Sequence, residues 1–343
     1  MRVLQLVGLL PSSRSPSAQP FVGSQIDSLR NAGIEIEVLD LAACCGKGWK
    51  KYIRGIFKIR KMVRLNQYDL IHAHYGYCGW VARFQRKVPV VVSLMGSDLL
   101  GIPDKSGRQT LLGRMSQWSS QILAQHVDHV IVKSNQMVGM LSRKAHMTVI
   151  PNGVDFDLFK PMDQKDAREY FGLDVQQKVV LFASDPQRAE KNYGLAQQAF
   201  QNLMCRYSFT CNLWVFTGRP QKDLPMAMNA ADALLLTSFS EGSPNVIKEA
   251  MACNLPIVSI PVGDVKEIIS GARNCHVAEY DPSDIASKLA SVLESGERSD
   301  GRQRIENLRL EVVAAKLVGV YGQVLEKANS GRTFSNGKKL FND

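Results

Sequence analysis

Two carboxylates, Glu241 and Glu249, bracket the end of a polar turn in the stretch Ser238-Phe-Ser-Glu-Gly-Ser-Pro-Asn245. The apolar run Ala233-Leu-Leu-Leu-Thr237 before the turn is long enough for a buried strand and too short for a helix. After it, Val246, Ile247, Ala250 and Met251 recur on one helical face, with Asn245 as the start of the helix. Leu255-Pro-Ile-Val-Ser-Ile260 then returns to the sheet. A strand–turn–helix of this kind offers backbone N–H groups and the positive end of a helix at the carboxyl edge of a parallel sheet, where open α/β sheets bind anions. Glu241 in the turn and Glu249 on the helix then face one pocket. Carboxylates beside an anion site make chemical sense when they hold hydroxyls. A nucleotide-sugar presents both partners: a diphosphate for the N–H groups, and ribose and hexose hydroxyls for the acids.

The run Glu241-Gly-Ser-Pro-Asn-Val-Ile-Lys-Glu249, with Ala250 and Pro256-Ile-Val-Ser259 behind it, resembles the signature of the retaining glycosyltransferases of family 4. The resemblance implies the GT-B fold: α/β, two Rossmann-like α/β/α domains facing across a cleft. It implies Glu241 against the donor sugar and Glu249 on the ribose hydroxyls. Gly242, Ser243 and Asn245 would meet sugar or phosphate through their backbone, whereas Pro244 has no N–H to give. In Asp185-Pro-Gln-Arg-Ala-Glu-Lys-Asn192 the implied grip on the diphosphate is Arg188 with Lys191. The leaving nucleoside diphosphate gains negative charge as its bond to the sugar breaks, and fixed cations stabilise that transition state.

The resemblance reaches the first half of the chain as well. Asp69-Leu-Ile-His-Ala-His-Tyr-Gly76 is similar to a cleft-facing His-x-His turn, which implies a substrate contact for His74; the alternative is a structural histidine. Gly96-Ser97-Asp98 matches a second such turn, or is a tight turn in which Asp98 caps locally. Met95 stands where relatives carry a histidine, and the loop from Gly8 to Pro20 lacks the usual Gly-Gly pair, with only Gly23 nearby. Ile150–Phe159 matches the family around the turn Pro151-Asn152-Gly153, where the chain is expected to cross between domains; Asp155 and Asp157 sit in this hinge and are not read as metal ligands. Thr217 and Gly218, with Arg219, are the candidates for holding the base. The implied reaction retains anomeric configuration: an acceptor hydroxyl attacks the face that the diphosphate leaves, and a phosphate oxygen takes the proton. It asks for no protein nucleophile, no metal and no cofactor beyond a donor such as a UDP- or GDP-sugar.

The elements that must position these residues follow in order. Strands are expected at Arg2–Val7, Ile34–Leu39, Asp69–His74, Val88–Leu94, Asp128–Val132 and Thr148–Ile150, then at Val179–Ser184, Leu213–Gly218 and the two runs flanking the signature. Val262–Ile269 resembles the family's next helix, its Gly263 suiting a close backbone approach. The domains are then 1–160 for the acceptor and 161–304 for the nucleotide-sugar, with a helix over about 305–328 crossing back to the first and a mobile tail over 329–343.

At 343 residues the chain has room for two cores, and 45% hydrophobic with 22% charged residues is the balance of a soluble globular protein. No apolar run approaches the ~20 residues needed to span a bilayer, and Met1–Gly8 reads as a strand rather than a signal peptide. Seven cysteines, an odd number without a Cys-x-x-Cys pair, argue against a disulfide framework or a zinc site and for a reducing, cytoplasmic setting. The net charge of +10 points to an anionic partner; phosphorylated substrate and membrane surface fit, and no nucleic acid is expected. Lys47–Arg64 carries eight cations and no acid, with Trp49, Tyr52, Ile53, Ile56, Phe57 and Val63 near helical spacing. It reads either as a peripheral contact with the inner face of the membrane or as an ordinary surface helix. The function expected is transfer of a hexosyl group to a glycan or lipid-linked acceptor in surface polysaccharide assembly. The rivals are a sugar-nucleotide epimerase of the same architecture and a non-catalytic polyanion-binding module.

Overall fold

The computed structural model describes residues 1–10 and 20–337. They fall into two compact units: Met1–Leu99, Met115–Pro151 and the chain from Glu311 form the first, Leu100–Arg114 and Asn152–Leu310 the second. In the first, β1 (Arg2–Val7), β2 (Glu35–Asp40), β3 (Leu70–His74), β4 (Val90–Ser93), β5 (His129–Val132) and β6 (Met147–Val149) pair in parallel in the order β2-β1-β3-β4-β5-β6. Parallel strands need crossovers, and helices on both faces bury them entirely. That is why Leu70-Ile71, Val90-Val91-Val92 and Val130-Ile131-Val132 are apolar without alternation, and all are buried. The crossovers include α1 (Pro20–Asn31), α2 (Lys50–Leu65) and α3 (Gly76–Arg83).

The second unit has β7 (Lys178–Phe182), β8 (Cys211–Val215), β9 (Ala233–Leu236), β10 (Ile257–Ser259) and β11 (Cys275–Val277), parallel in the order β11-β10-β9-β7-β8. Its helices include α4 (Tyr193–Arg206), α5 (Asn245–Ala252) and α6 (Pro282–Ser295). Ala196, Ala199 and Leu203 of α4 and Ile285 and Leu289 of α6 join one buried core with the strands. Counted from its own first strand, each sheet runs second, first, third, fourth, fifth, and the first sheet adds its sixth at the end. Winding therefore reverses between the first and third strands, β1 and β3 in one unit and β7 and β9 in the other, and ligand crevices open at such points.

The last helix, α7 (Leu310–Gly337), carries Val313, Leu317, Val320, Tyr321 and Val324 at helical spacing and buries them in the first unit's core with Val3, Leu70, Val91 and Ile131. The return helix is thus present, with altered bounds. Val154 N donates to Leu308 O at 2.9 Å and Leu310 N to Val154 O at 3.1 Å, so 305–309 stay with the second unit. The crossover expected at Pro151-Asn152-Gly153 coincides with the division after Pro151, whereas the bound of 160 is too late, because Val154, Phe156 and Phe159 are buried in the second unit's core. Leu100–Arg114, expected within the first domain, also groups with the second unit. Residues 329–337, expected as tail, continue α7, and 338–343 lie outside the described residues, as does most of the loop from Gly8 to Pro20. The strand expected at Leu213–Gly218 begins at Cys211 and ends at Val215.

Candidate functional site

The second unit's switch point brings together the loops that leave β7 and β9. After β7, a single turn of 3-10 helix at Ala189–Lys191 ends on Asn192, whose left-handed backbone (φ 49°) reverses the chain. Asn tolerates this conformation better than most residues. The loops are tied to each other: Phe239 N donates to Glu190 O at 2.8 Å, and Thr237 Oγ1 donates to the carbonyls of Lys191 and Asn192 at 3.2 and 3.1 Å. Lys191 Nζ thereby reaches Glu241 Oε1 at 2.6 Å, with both side chains largely buried. A cation and a carboxylate in contact at the carboxyl edge of a sheet fit one charged and one hydroxyl-bearing part of a ligand.

Behind the turn, α5 starts at Asn245 with Pro244 before it, so no side chain caps its first N–H groups. Its Lys248 is wholly buried and donates to Ser243 Oγ and Asn152 O, both at 3.0 Å. Burial pulls this amine down to about 8, against the opposing pull of Asp264 and Glu249. Asp264, its own carboxyl raised by burial, hydrogen-bonds Ser243. Asn152 Nδ2 also donates to Asn245 Oδ1 at 3.3 Å. Lys248, Asp264 and Asn152 thus hold the turn from below. Gly263, at φ 59°, lets the next loop pass so close that a Cβ there would meet the carbonyl oxygens of Glu241 and Gly242 at 2.9 Å. Glu249, one helical turn on from Asn245, has a carboxylate with no hydrogen-bond partner among the described residues, and burial raises it to about 7. An acceptor left open in this way is suited to ligand hydroxyls.

The structure brings Glu241, Gly242, Ser243, Asn245, Glu249 and Lys191 into one place. Arg188 is not with them: it is exposed and paired with Glu190. Thr217 and Gly218 lie in the exposed loop after β8, beside the loop of neighbouring β7, and Arg219 sits over the Phe171 ring at 5.3 Å. Lys248 and Asp264 were not anticipated. The signal for Lys248 was a lysine between Ile247 and Glu249 in a run, Val246-Ile-Lys-Glu-Ala-Met-Ala252, whose residues other than these two charged ones are apolar.

In the first unit two expectations are corrected. His74 does not face a ligand: it is fully buried, its Nε2 bonds Gln5 Oε1 at 2.8 Å, and its ring stacks on His72 at 4.5 Å. Both faces of a parallel sheet are covered, so alternation along β3 points these histidines into the core. Asp98 is also buried, and its oxygens accept from Met95 N, Gly96 N and Gly76 N at 2.9, 3.0 and 3.1 Å. It is the local cap, spent on backbone rather than on substrate. Gly96 is buried beside it and Ser97 is exposed.

The glycosyltransferase family 4 model matches residues 27–158, and the glycosyl transferases group 1 model matches 178–295. Among curated proteins, D-inositol 3-phosphate glycosyltransferase 2 of Catenulispora acidiphila is 26% identical over 80% of this chain and 75% of its own. D-inositol 3-phosphate glycosyltransferase of Mycobacterium tuberculosis is 26% identical over 62% of this chain, which spans about half, 51%, of that relative's length. Among solved structures, sucrose-phosphate synthase from Thermosynechococcus elongatus has a TM-score of 0.74 at 18% identity, covering 95% of this chain and all of that one. Anabaena HepE in complex with UDP has a TM-score of 0.66 at 17% identity, covering 94% and 100%. At such identities the structural likeness speaks for the fold alone, and that fold is GT-B. With one family model on each half and the Glu241–Glu249 turn set at a switch point, the chain belongs to the glycosyl transferases of group 1 and family 4.

Proposed function

We propose that the chain moves a sugar from a nucleotide-sugar to a glycan or lipid-linked acceptor with retention of anomeric configuration. The observation that carries this reading is the Lys191–Glu241 contact of 2.6 Å at the switch point, with the open Glu249 carboxylate on the adjoining helix. In the reaction, Lys191 meets the charge that develops on the leaving diphosphate, and Arg188 joins it by leaving Glu190. The uncapped N–H groups of α5 serve the same phosphates. Glu241, released from Lys191 by the ligand, holds and electrostatically supports the donor sugar, and Glu249 takes the ribose hydroxyls. The reading requires no metal, since fixed cations do its electrostatic work. In this reading Thr217 and Gly218, in the loop after β8, border the base. A UDP-sugar is the first donor to try, because solved neighbours such as HepE are described in complex with UDP and UDP-glucose.

A membrane-proximal acceptor, on the inner face of the membrane and within surface polysaccharide assembly, belongs to the same proposal. Trp49, just before α2, and Ile53 and Phe57 within it recur at intervals of four and are exposed, among Lys50, Lys58 and Lys61. This is the pattern of a helix lying in a membrane interface. Among the described residues no helix is long and apolar enough to cross a membrane. The test of the chemistry is an assay of radiolabelled sugar transfer with a panel of UDP- and GDP-sugars, on wild type and Glu241→Ala, with the anomer of the product read by NMR. Expected is one accepted donor, an α-product from an α-donor, and a loss of at least ~10² in turnover in the variant. An inverted product, or a variant that keeps wild-type turnover, overturns the reading.

A further inference from the structure

At the edge of the first sheet where its strands begin, opposite the carboxyl edge, the ends of α2 and α3 and the turn before β4 enclose a hollow of about 660 Å³. Five cations line it, Arg60, Arg64, Arg83, Arg86 and Lys87, and no carboxylate does. Two of them are set in place from behind: Arg60 Nε donates to Phe84 O at 3.1 Å, and Arg83 Nε donates to His126 O. Their terminal Nη groups have no partner among the described residues, and neither do the side chains of Arg64 and Arg86. Asp128, which lines an adjoining hollow of about 450 Å³ with Arg83, Arg86 and Lys87, has its Oδ2 occupied by Val90 N at 2.8 Å. The apolar wall is Val63, Trp80 and Phe84, with the indole of Trp80 fixed by its bond to Ser119 Oγ at 2.8 Å.

Like charges gathered without an acid repel one another, and a multiply charged anion removes that repulsion. Guanidinium forks match phosphate oxygens two at a time, and fixing Nε on a carbonyl aims the remaining N–H groups in advance. We propose that this hollow is a second binding site, for a phosphate-bearing anion carrying more than one negative charge, gripped by Arg60 and Arg83 and supported by Arg64 and Arg86. A phosphomonoester lipid headgroup and a soluble diphosphate share this chemistry. The site is built from first-unit residues only and does not rest on the donor-site reading. It also accounts for the end of the acid-free run Lys47–Arg64, whose final turn supplies Arg60 and Arg64.

The test uses the full chain carrying Arg188→Ala and Lys191→Ala, which removes both donor-site cations so that residual anion binding reports the hollow. Inorganic pyrophosphate is titrated by calorimetry, and sedimentation is followed with phosphatidylcholine vesicles with and without phosphatidic acid. Added to that background, Arg64→Gln/Arg86→Gln is compared with Arg143→Gln/Lys144→Gln, which removes the same charge at exposed positions elsewhere in the first unit. Expected is a loss of at least about tenfold in affinity for one probe in the Arg64/Arg86 variant, with the Arg143/Lys144 variant unchanged. Loss with pyrophosphate identifies a soluble ligand, and loss only with phosphatidic-acid vesicles identifies a lipid headgroup. If neither probe binds, or if both double variants lose equally, the hollow is a diffuse positive surface and the proposal fails.

Discussion

Glu249 shows how placement sets the behaviour of one residue. Its carboxyl is raised from 4.5 to about 7 by burial, with Lys248 pulling the other way. Between those values the folded chain holds a proton that the unfolded chain has lost, so Glu249 makes stability fall as pH rises through that window. Ribose hydroxyls are donors and favour the ionised acceptor, so donor affinity should climb as pH rises through about 7 and then level off. Glu249→Gln keeps the shape and removes the titration. It should stabilise the protein at pH 8 by about 1–2 kcal/mol, after allowing for partial exposure, and change little at pH 4. It should also flatten the pH dependence of nucleotide binding. Urea denaturation at both pH values and calorimetric titration of UDP across pH 6–8 check this; a stability difference that is equal at both ends would show that Glu249 does not titrate there. The residue types in the turn were readable because strand, turn glycine and helix are local to one short stretch. Lys248 was less so: a lysine on a helix reads as surface until Asn152, Ser243 and Asp264 are found beneath it.

Among the elements, the signature turn depends on the loop after β10 as much as on α5. Gly263 has φ 59° and backs directly onto the carbonyls of Glu241 and Gly242. Gly263→Ala meets two obstacles, a left-handed backbone and backbone oxygens that cannot swing aside, and should cost about 1–3 kcal/mol while raising KM for the donor. Thermal denaturation with steady-state kinetics reads both; a variant as stable and as active as wild type would mean the loop approaches the turn less closely. For α2, one side packs as an ordinary surface helix does, and the other carries the exposed residues on which the proposed membrane contact rests. Gly55, Ile59 and Val63 are buried, and Lys51 Nζ donates to Gly8 O and Arg54 to Cys45 O, so part of the basic face is tied to the first unit's own backbone. Trp49 and Phe57 are 68% and 67% exposed. Replacing both with Ala should leave stability within about 0.5 kcal/mol, as exposed positions do, while reducing sedimentation with anionic vesicles; unchanged sedimentation would remove the membrane contact from the proposal. Amphipathicity was legible in the sequence, but which cations bond the chain's own carbonyls depends on Gly8 and Cys45, which no periodicity reveals.

At the scale of the molecule, two sheets and a returning helix were legible because parallel strands announce themselves as short apolar runs at crossover spacing. The unit boundary was legible as the turn Pro151-Asn152-Gly153; the stretch after it, assigned to the first domain as far as 160, was harder, since Val154, Phe156 and Phe159 choose a core by tertiary contact alone. The same is true of the polar chain that closes the first unit. Ser93 Oγ bonds His72 Nε2 at 2.8 Å, and His72 Nδ1 bonds Tyr321 OH at 2.6 Å. Gln5 Nε2 donates to the same hydroxyl at 3.3 Å, and its Oε1 bonds His74 Nε2. Every member is buried. Tyr321 comes from α7, so the network joins the first strand, the third, the fourth and the far end of the chain. Both histidines are held well below their ordinary range by burial, His74 at about 3. They stay neutral in the folded protein, while the unfolded chain takes up protons near pH 6.5. Stability is therefore lost as pH falls below that value, by about 1.4 kcal/mol per pH unit for each histidine. Tyr321→Phe keeps the ring in the core and removes only the hydroxyl, leaving His72 Nδ1 and Gln5 Nε2 buried without a partner. The expected cost at pH 8 is about 1–3 kcal/mol. Lys191, Glu241 and Glu249 all belong to the other unit, so UDP affinity measured below the unfolding transition should not change. A stability loss together with unchanged nucleotide binding would mark the network as the clasp of α7 on the first unit. Equal stability of variant and wild type would mean that apolar burial of Val313, Leu317, Val320 and Val324 holds the helix unaided.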